Sequence, residues 1–377
     1  MKYKKTMILL VLAIFIFGVA SVCASDVNET TIATQEDNQM ELTLTEDEIQ
    51  TNENDNMLTQ TEDAEIFTSG EGSYSDLRND INSGGNLTKS HYRYNAGDGD
   101  TIEINTPGVI NGNGAVIDMN GSTIRAFNVT ASGVTINNLT IINANYGGNG
   151  GAIYFSPATS GNVTNCNFIN NNATGTDSWG GAIRMYSGTV SNCNFTGNTA
   201  TRYGGAIMFV TGTVSNCNFA DNTAYRGGAV YFLNQGTVSN CSFTGNTATG
   251  NGGAVYFNIN GEVTNCNFTD NTVSEEGGAV WMTSGTVSNC NFTGNNASRD
   301  GGAIRFSGSG TVSNCNFTGN TATGNGGAIY FHRTGTVSNC NFADNDAYHG
   351  GAVLFNTNGE VTNCNFTDNT ATGDYAR

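Results

Sequence analysis

The chain has 377 residues, 50 of them Gly and only 2 Pro, and its 32 acidic residues outnumber 14 Lys and Arg, for a formal net charge of -18. This balance excludes a nucleic-acid-binding protein, which needs a basic footprint, and disfavours electrostatic docking on anionic lipid. An acidic surface suits solubility in a salty exterior and says little about fold.

The first residues have the layout of an export signal. Lys2, Lys4 and Lys5 form a basic start, and residues 7–19 are an apolar run too short for a comfortable membrane span. Val22-Cys23-Ala24 offers small residues for cleavage after Ala24, and Val22 is the wrong neighbour for Cys23 to be a lipoprotein cysteine. Residues 1–24 are therefore expected to be a signal peptide for a secreted or cell-surface protein. No second apolar stretch follows, so no membrane span is expected.

Residues 26–71 contain no Lys or Arg and show no sustained apolar period. Such a stretch cannot bury enough apolar surface to offset its ordering entropy, so residues 25–72 are expected to be a disordered, self-repelling spacer. Ser73-Tyr74-Ser75-Asp76 then starts a short helix, with Leu77 and Ile81 on one face and Gly84-Gly85 ending it. Residues 73–99 are expected to cap an otherwise open sheet end.

Between residues 100 and 142 apolar residues alternate, as in Thr101-Ile102-Glu103-Ile104 and Val134-Thr135-Ile136, with Asn and Gly between them. These are short strands separated by turns. A repeat then becomes plain. Gly-Gly-Ala-Ile/Val occurs nine times, from Gly150 to Gly350, and nine cysteines from Cys166 to Cys364 follow at spacings of 24 or 25 after a first gap of 27.

Side-chain parity within one repeat predicts its cross-section. Cys217 and Phe219 share a face; Val214 has the opposite parity, so a turn belongs at Ser215-Asn216, where Asn tolerates the left-handed conformation. Asp221-Asn222 is a second turn, and residues 233–236 a third. Val230 and Phe232 point inward, Ala229 and Tyr231 outward. Each repeat is thus three short strands with Val, Cys, Phe, Ile/Val and Phe/Met inside. No repeat can bury that face alone, so rungs must stack in register. The expected fold is an all-β, right-handed parallel β-helix over residues 100–377, with a short N-terminal capping helix and an uncapped C-terminal end. Leucine-rich and helical repeats are excluded by the near absence of Leu and by the period of two within each block.

Gly-Gly-Ala-Ile paired with Phe-x-x-Asn (Phe195 to Asn198, Phe219 to Asn222, Phe317 to Asn320) resembles the repeats of chlamydial polymorphic outer-membrane proteins. The layout of signal, acidic spacer, short helix, Asn-Gly-Asn-Gly-x-x-Ile-Asp segment and Asn-Cys-x-Phe rungs is similar to the adhesin-like proteins of methanogenic archaea. The resemblance covers residues 73–377 and implies the fold and surface adhesion; it carries over no catalytic residues. The chain departs from the chlamydial proteins in stopping in mid-repeat at Arg377 without their membrane barrel, as a fragment is expected to.

Several columns could carry chemistry. The cysteines are expected to form a reduced, buried thiol ladder. Parallel stacked side chains rarely reach disulfide geometry, and no Cys/His pair has zinc-ligand spacing. The outward column Tyr231, Tyr256, Trp281, Arg305 and Tyr330, beside a row of Ala, reads as a shallow ligand-binding groove suited to sugar rings; alternatively, these side chains simply stack across rungs. The turn before each Gly-Gly is the most variable segment, including Trp179, Tyr203, Arg226, Glu276, Asp300 and His349, with three extra residues near 174–178.

Glu276 and Asp300, at one repeat position on adjacent rungs, are the weak candidates for a glycosidase acid pair; solvated loop acids are the commoner case. Asp221, Asp270, Asp344 and Asp368 form a turn column, turn chemistry first and calcium second. His91, His332 and His349 do not cluster. Sequons at Asn194, Asn267, Asn291, Asn316 and Asn365 point to solvent and suit N-glycosylation in a host that performs it. No metal, cofactor, nucleic acid or catalytic function is expected. The reading is an adhesin-like protein binding a glycan or a neighbouring cell's surface protein, with a polysaccharide lyase or glycosidase and a purely structural stalk as the alternatives.

Overall fold

The structure is a computed structural model, and it describes residues 70–373. The expected signal peptide, with Cys23, and all but the end of the expected spacer lie outside the described residues.

Ser73 caps helix α1 (Tyr74–Asn82). Its hydroxyl accepts the Asp76 N–H at 3.2 Å, and its own N–H donates to Asp76 Oδ2 at 2.8 Å, closing a capping box. The Ser73 N–H and the Ser73 hydroxyl, which donates to Asp76 Oδ2 at 2.9 Å, hold the Asp76 carboxyl below the usual carboxylate range. Leu77 and Ile81 are buried, as expected, and Tyr74 donates its hydroxyl to the Ala126 carbonyl at 3.1 Å. The solenoid begins earlier than residue 100. Glu71–Ser73 pairs in parallel with His91–Arg93, which pairs with Val116–Asp118, so two of its strands flank α1 in the chain.

Each rung passes through three parallel sheets. Sheet 1 has 13 strands, from Glu71–Ser73 to Asn365–Thr367, and holds the segments after each cysteine, such as Asn218–Ala220. Sheet 2 has 10 strands, mostly residue pairs such as Thr223–Ala224. Sheet 3 has 20 strands, because each rung crosses it twice, as in Val230–Phe232 and Gly236–Ser239. The paired segments fuse into single strands at Val255–Thr264 and Val280–Ser288. The partition therefore differs from the expected one. The Ile/Val-x-Phe and Val segments share a sheet, and the Thr-Ala pair, too short to show alternation, makes another.

Like stacks on like: Val214 faces Val238 and Phe219 faces Phe243. The sheet 1 Phe rings are parallel, with Phe219–Phe243 centroids 4.7 Å apart and 3° between planes. The Ser-Asn turn is as expected, with Asn216 at φ 54° and its equivalents alike. At the Gly-Gly corner the chain is too close to itself for any side chain. Gly227 sits at φ +63°, and a Cβ on Gly228 would lie 2.0 Å from the Gly253 carbonyl oxygen.

One parity expectation fails here. The Ala column does not face out; Ala229 and its equivalents are fully buried in the main core. The cause is a bend repeated in successive rungs. The N–H groups of both Ala206 and Ile207 donate to the Ala229 carbonyl, and those of Ala229 and Val230 to that of Ala254. The chain bends where the two N–H groups converge, alternation resets, and both side chains turn inward.

A second column of interior chemistry is polar. Asn222 and its counterparts from Asn171 to Asn345 are fully buried. The Asn222 Nδ2 donates to the Phe195 carbonyl and to Asn246 Oδ1, both at 3.0 Å, while its Oδ1 accepts the N–H and Nδ2 of Asn198, both at 3.0 Å. Each amide is fully used, which is what makes a buried polar ladder tolerable.

Candidate binding face at the Gly-Gly corner

Tyr231 lies between inward Val230 and Phe232, so it projects from sheet 3 away from the core. Its column runs in register through Tyr256, Trp281, Arg305 and Tyr330. The rings stack closely: Tyr231–Tyr256 at 5.0 Å and Tyr256–Trp281 at 4.4 Å, each with 3° between planes. The Arg305 guanidinium continues the stack, 5.5 Å from the Trp281 ring centre and 5.8 Å from that of Tyr330.

This column is not the open groove the sequence suggested. Tyr231 is 2% exposed, Tyr256 3%, Tyr330 7% and Arg305 9%; Trp281 is half-buried. The expected Ala wall is absent because those methyls are in the core. Residues of the turn before Gly-Gly fold back over the column instead. Tyr203 stacks on Tyr231 at 4.4 Å, and Arg226 lies 5.5 Å from the centre of the Tyr256 ring. Burial raises the phenol pKa of Tyr231, Tyr256 and Tyr330. The five residues expected to bind ligand are therefore chiefly the floor of the corner, stacked across rungs.

The accessible layer is the turn itself. Trp179 bridges to Tyr203 and Tyr203 to Arg226 on successive rungs. The Trp179 and Tyr203 rings are 5.7 Å apart, Arg202 lies 5.0 Å over Tyr203, and Tyr225 is exposed. Variability of the turn pointed to Trp179, Tyr203 and Arg226; Arg202 and Tyr225, one residue earlier, were missed. The long turn at 174–178 closes one side, where Asp177 accepts from Trp179 Nε1 at 3.2 Å and pairs with Arg202 at 2.7 Å.

The candidate acids are engaged separately. Glu276 Oε2 lies 2.9 Å from Arg305 Nε in a close charge contact not aligned as a hydrogen bond, and it accepts from Trp281 Nε1 at 3.3 Å. Asp300 Oδ1 accepts the N–H and Nδ2 of Asn325 at 2.9 and 2.8 Å. Asn325 in turn meets His349 Nδ1 at 3.2 Å. His332 is 3.5 Å from the Tyr330 hydroxyl, and His91 lies far away in sheet 1.

The Asp column is turn chemistry: Asp221, Asp270, Asp344 and Asp368 all have φ between 52° and 56°. Among the described residues no group of three or more His, Cys, Asp or Glu converges as a metal site. The nine repeat cysteines are free, eight buried and Cys364 half-buried. Each buried thiol from Cys193 to Cys340 accepts the backbone N–H of the preceding cysteine at 3.4 Å. Burial and the neighbouring thiols push the Cys193 pKa up. The sequon residues Asn194, Asn267, Asn291, Asn316 and Asn365 are exposed on sheet 1. Their amides join an outer ladder, for example Asn316 Nδ2 to Asn291 Oδ1 at 2.8 Å.

Compared with known families, the chain matches the right-handed β-helix region over residues 122–286 and again over 264–377, together well over half its length. No curated protein matches it.

Proposed function

The chain belongs to the right-handed β-helix family, and on that premise we propose that it is a secreted or surface-displayed binding rod. Its ligand is a glycan or the surface protein of a neighbouring cell, met at the Gly-Gly corner. The fold alone does not choose, because adhesins, lyases and hydrolases all use this scaffold. The observation that carries the reading is where variation sits. The inward positions of sheets 1 and 3 repeat nearly the same residues rung after rung, whereas the corner turn changes from Trp179 to Tyr203, Arg226, Glu276, Asp300 and His349, and the outward column beneath it changes too. Aromatic and Arg side chains on a rigid frame are what binding surfaces favour.

The adhesion reading also draws on the motif-level resemblance of the repeats to methanogen adhesin-like and chlamydial proteins and on the expected export signal. Cleavage chemistry is the less favoured reading, since the Glu276 carboxylate meets Arg305 and Trp281 while that of Asp300 meets Asn325. A glycan array and a cell-binding assay on the full chain test the proposal, with Trp179→Ala and a Tyr203/Tyr225 double alanine as variants. Saturable binding weakened by these changes supports it. Release of reducing sugar or unsaturated uronate in place of stable binding overturns it in favour of an enzyme. Absence of any ligand in both assays leaves a structural stalk.

A further inference from the structure

The charges of the solenoid are unevenly placed. No lysine follows Lys89, and from residue 100 to 373 there are seven arginines: Arg125, Arg184, Arg202, Arg226, Arg299, Arg305 and Arg333. All except Arg333 stand at the Gly-Gly corner, in the outward column or the turn before it. Between residues 103 and 251 the corner carries four of them against two acids, Glu103 in the outward column and Asp177 in the turn; between 275 and 305 it carries two against Glu275, Glu276 and Asp300. In a chain of formal charge -18, the N-terminal half of the corner is a cationic strip.

Most of that charge is unpaired. Among the described residues the ion pairs are Arg202–Asp177 and Arg305–Glu276, and the first is largely exposed, so it is weak. Arg125, Arg184 and Arg226 have no carboxylate of the described residues within ion-pair distance. They lie on tyrosines instead: Arg125 over Tyr146 and Tyr154, Arg184 over Tyr154, Arg226 over Tyr225 and Tyr256. The Nε atoms of all three are buried without a partner. Stacking fixes each guanidinium plane, so little further order is lost when its fork meets an anion. Arg226 is half-buried and Arg202 exposed, flanked by Trp179, Tyr203 and exposed Tyr225. Flat aromatic faces take the apolar face of a sugar ring, and guanidinium forks take carboxylate or sulfate bidentately.

We propose that the corner between residues 179 and 226 binds an anionic glycan bearing uronate carboxylates or sulfate esters. Arg226 and Arg202 meet the anion, and Trp179, Tyr203 and Tyr225 meet the sugar rings. This rests on the binding function proposed above and adds the charge of the ligand. An aligned row of cations and rings along the rod suits a linear acidic polymer better than a compact partner.

The experiment titrates the full chain with oligogalacturonate, a sulfated oligosaccharide and a neutral cello-oligosaccharide by isothermal titration calorimetry, a readout that every variant retains. Separate uronate and sulfate titrations tell which anion is preferred. At least one acidic glycan should bind about tenfold or more tighter than the neutral one, and added salt should weaken it. Arg226→Gln and Arg202→Gln should each lose about tenfold toward the acidic glycan and nothing toward the neutral one. Trp179→Ala should weaken both, and thermal melts verify folding. Equal affinity for neutral and acidic glycans defeats this inference while leaving glycan binding intact. Binding of no glycan defeats both. Acidic binding unchanged in both Arg variants, or preference for polyglutamate over every glycan, also overturns it.

Discussion

Asp221 folds over Gly245 on the next rung: its Oδ1 lies 2.6 Å from where a Cβ on Gly245 would stand. The same contact recurs between Asn170 and Gly197 at 2.5 Å and between Asp270 and Gly294 at 2.3 Å. Gly319 follows Gly294 rather than an acid and has nothing within 4 Å. At Gly197, Gly245 and Gly294 the side chain of the preceding rung thus occupies the space a Cβ would need, whereas Asn170 follows Asn143 and Asp368 follows Asp344 in the same column without glycine.

Gly245→Ala and Gly319→Ala separate the two costs of leaving glycine. Their φ angles, +65° and +63°, are nearly equal, so both lose about 1–2 kcal/mol to the left-handed backbone. Gly245→Ala also displaces the end of the exposed Asp221 side chain, which adds at most about 1 kcal/mol. Urea unfolding should show the difference, and Asp221→Gly should abolish it. Equal losses at the two sites would contradict the steric account.

Asn222→Ala should be costly because the side chain it removes serves three rungs. It takes a partner from the N–H of Asn198 and from the Phe195 carbonyl, while Asn198 Nδ2 keeps the Phe168 carbonyl and Asn246 Oδ1 keeps the N–H of residue 222. At about 1–3 kcal/mol for a buried unsatisfied group, partly relieved by water, a net loss of about 3 kcal/mol is expected. The outer-ladder change Asn218→Ala, at an exposed position, should cost under about 1 kcal/mol in the same assay.

Legibility followed the range of the physics. Strand parity needs only neighbouring residues, so inward Val214, Cys217, Phe219, Val230 and Phe232 were legible, as were the capping box at Ser73 and the left-handed Asn216. The inward Ala229 was not, because the shared carbonyl that bends it inward belongs to the next rung. The lining of the corner was half legible. The outward direction of Tyr231 follows from parity, but its burial comes from Tyr203 and Arg226 folding back across rungs. The Asn222 ladder left a periodic Asn three residues after each Phe; its burial depends on amides that satisfy one another only when stacked.

Thiol labelling tests the cysteine column. Iodoacetamide on the native chain should modify Cys364 alone among the repeat cysteines, the one that is half-buried, and all nine after denaturation. Disulfides between adjacent rungs in non-reducing mass spectra would refute the ladder.

Glu276→Gln and Asp300→Asn should behave differently from each other. The Glu276–Arg305 pair is only 11–14% exposed, so neutralising Glu276 strands a mostly buried guanidinium and should cost about 1–3 kcal/mol. Asp300→Asn keeps an oxygen able to accept from Asn325 and should be nearly silent. Neither variant should alter polysaccharide turnover, since none is expected; a cleavage activity abolished by either one would reverse the assignment of the corner as a binding face.

The decisive contrast sets the floor of the corner against its surface. Tyr256 is 3% exposed and stacked on both sides, by Tyr231 at 5.0 Å and Trp281 at 4.4 Å. Tyr256→Ala should therefore cost about 2–4 kcal/mol of stability, approaching the ~3–5 kcal/mol expected of Phe257→Ala in the core. Trp281→Ala, half-buried, should cost somewhat less. Trp179 lies on top of the corner, tilted 36° from the Tyr203 ring and hydrogen-bonded to Asp177. Trp179→Ala, also half-buried, should cost about 1–3 kcal/mol of stability, as Trp281→Ala does, but in addition weaken ligand binding by ~1–3 kcal/mol, the range of a truncated aromatic anchor. Melting curves and binding isotherms on the four variants give the two readouts independently. If Tyr256→Ala melts like the wild type, the column is open after all and the ligand reaches it directly. If Trp179→Ala binds like the wild type, the site lies further along the corner, towards Asp300 and His349.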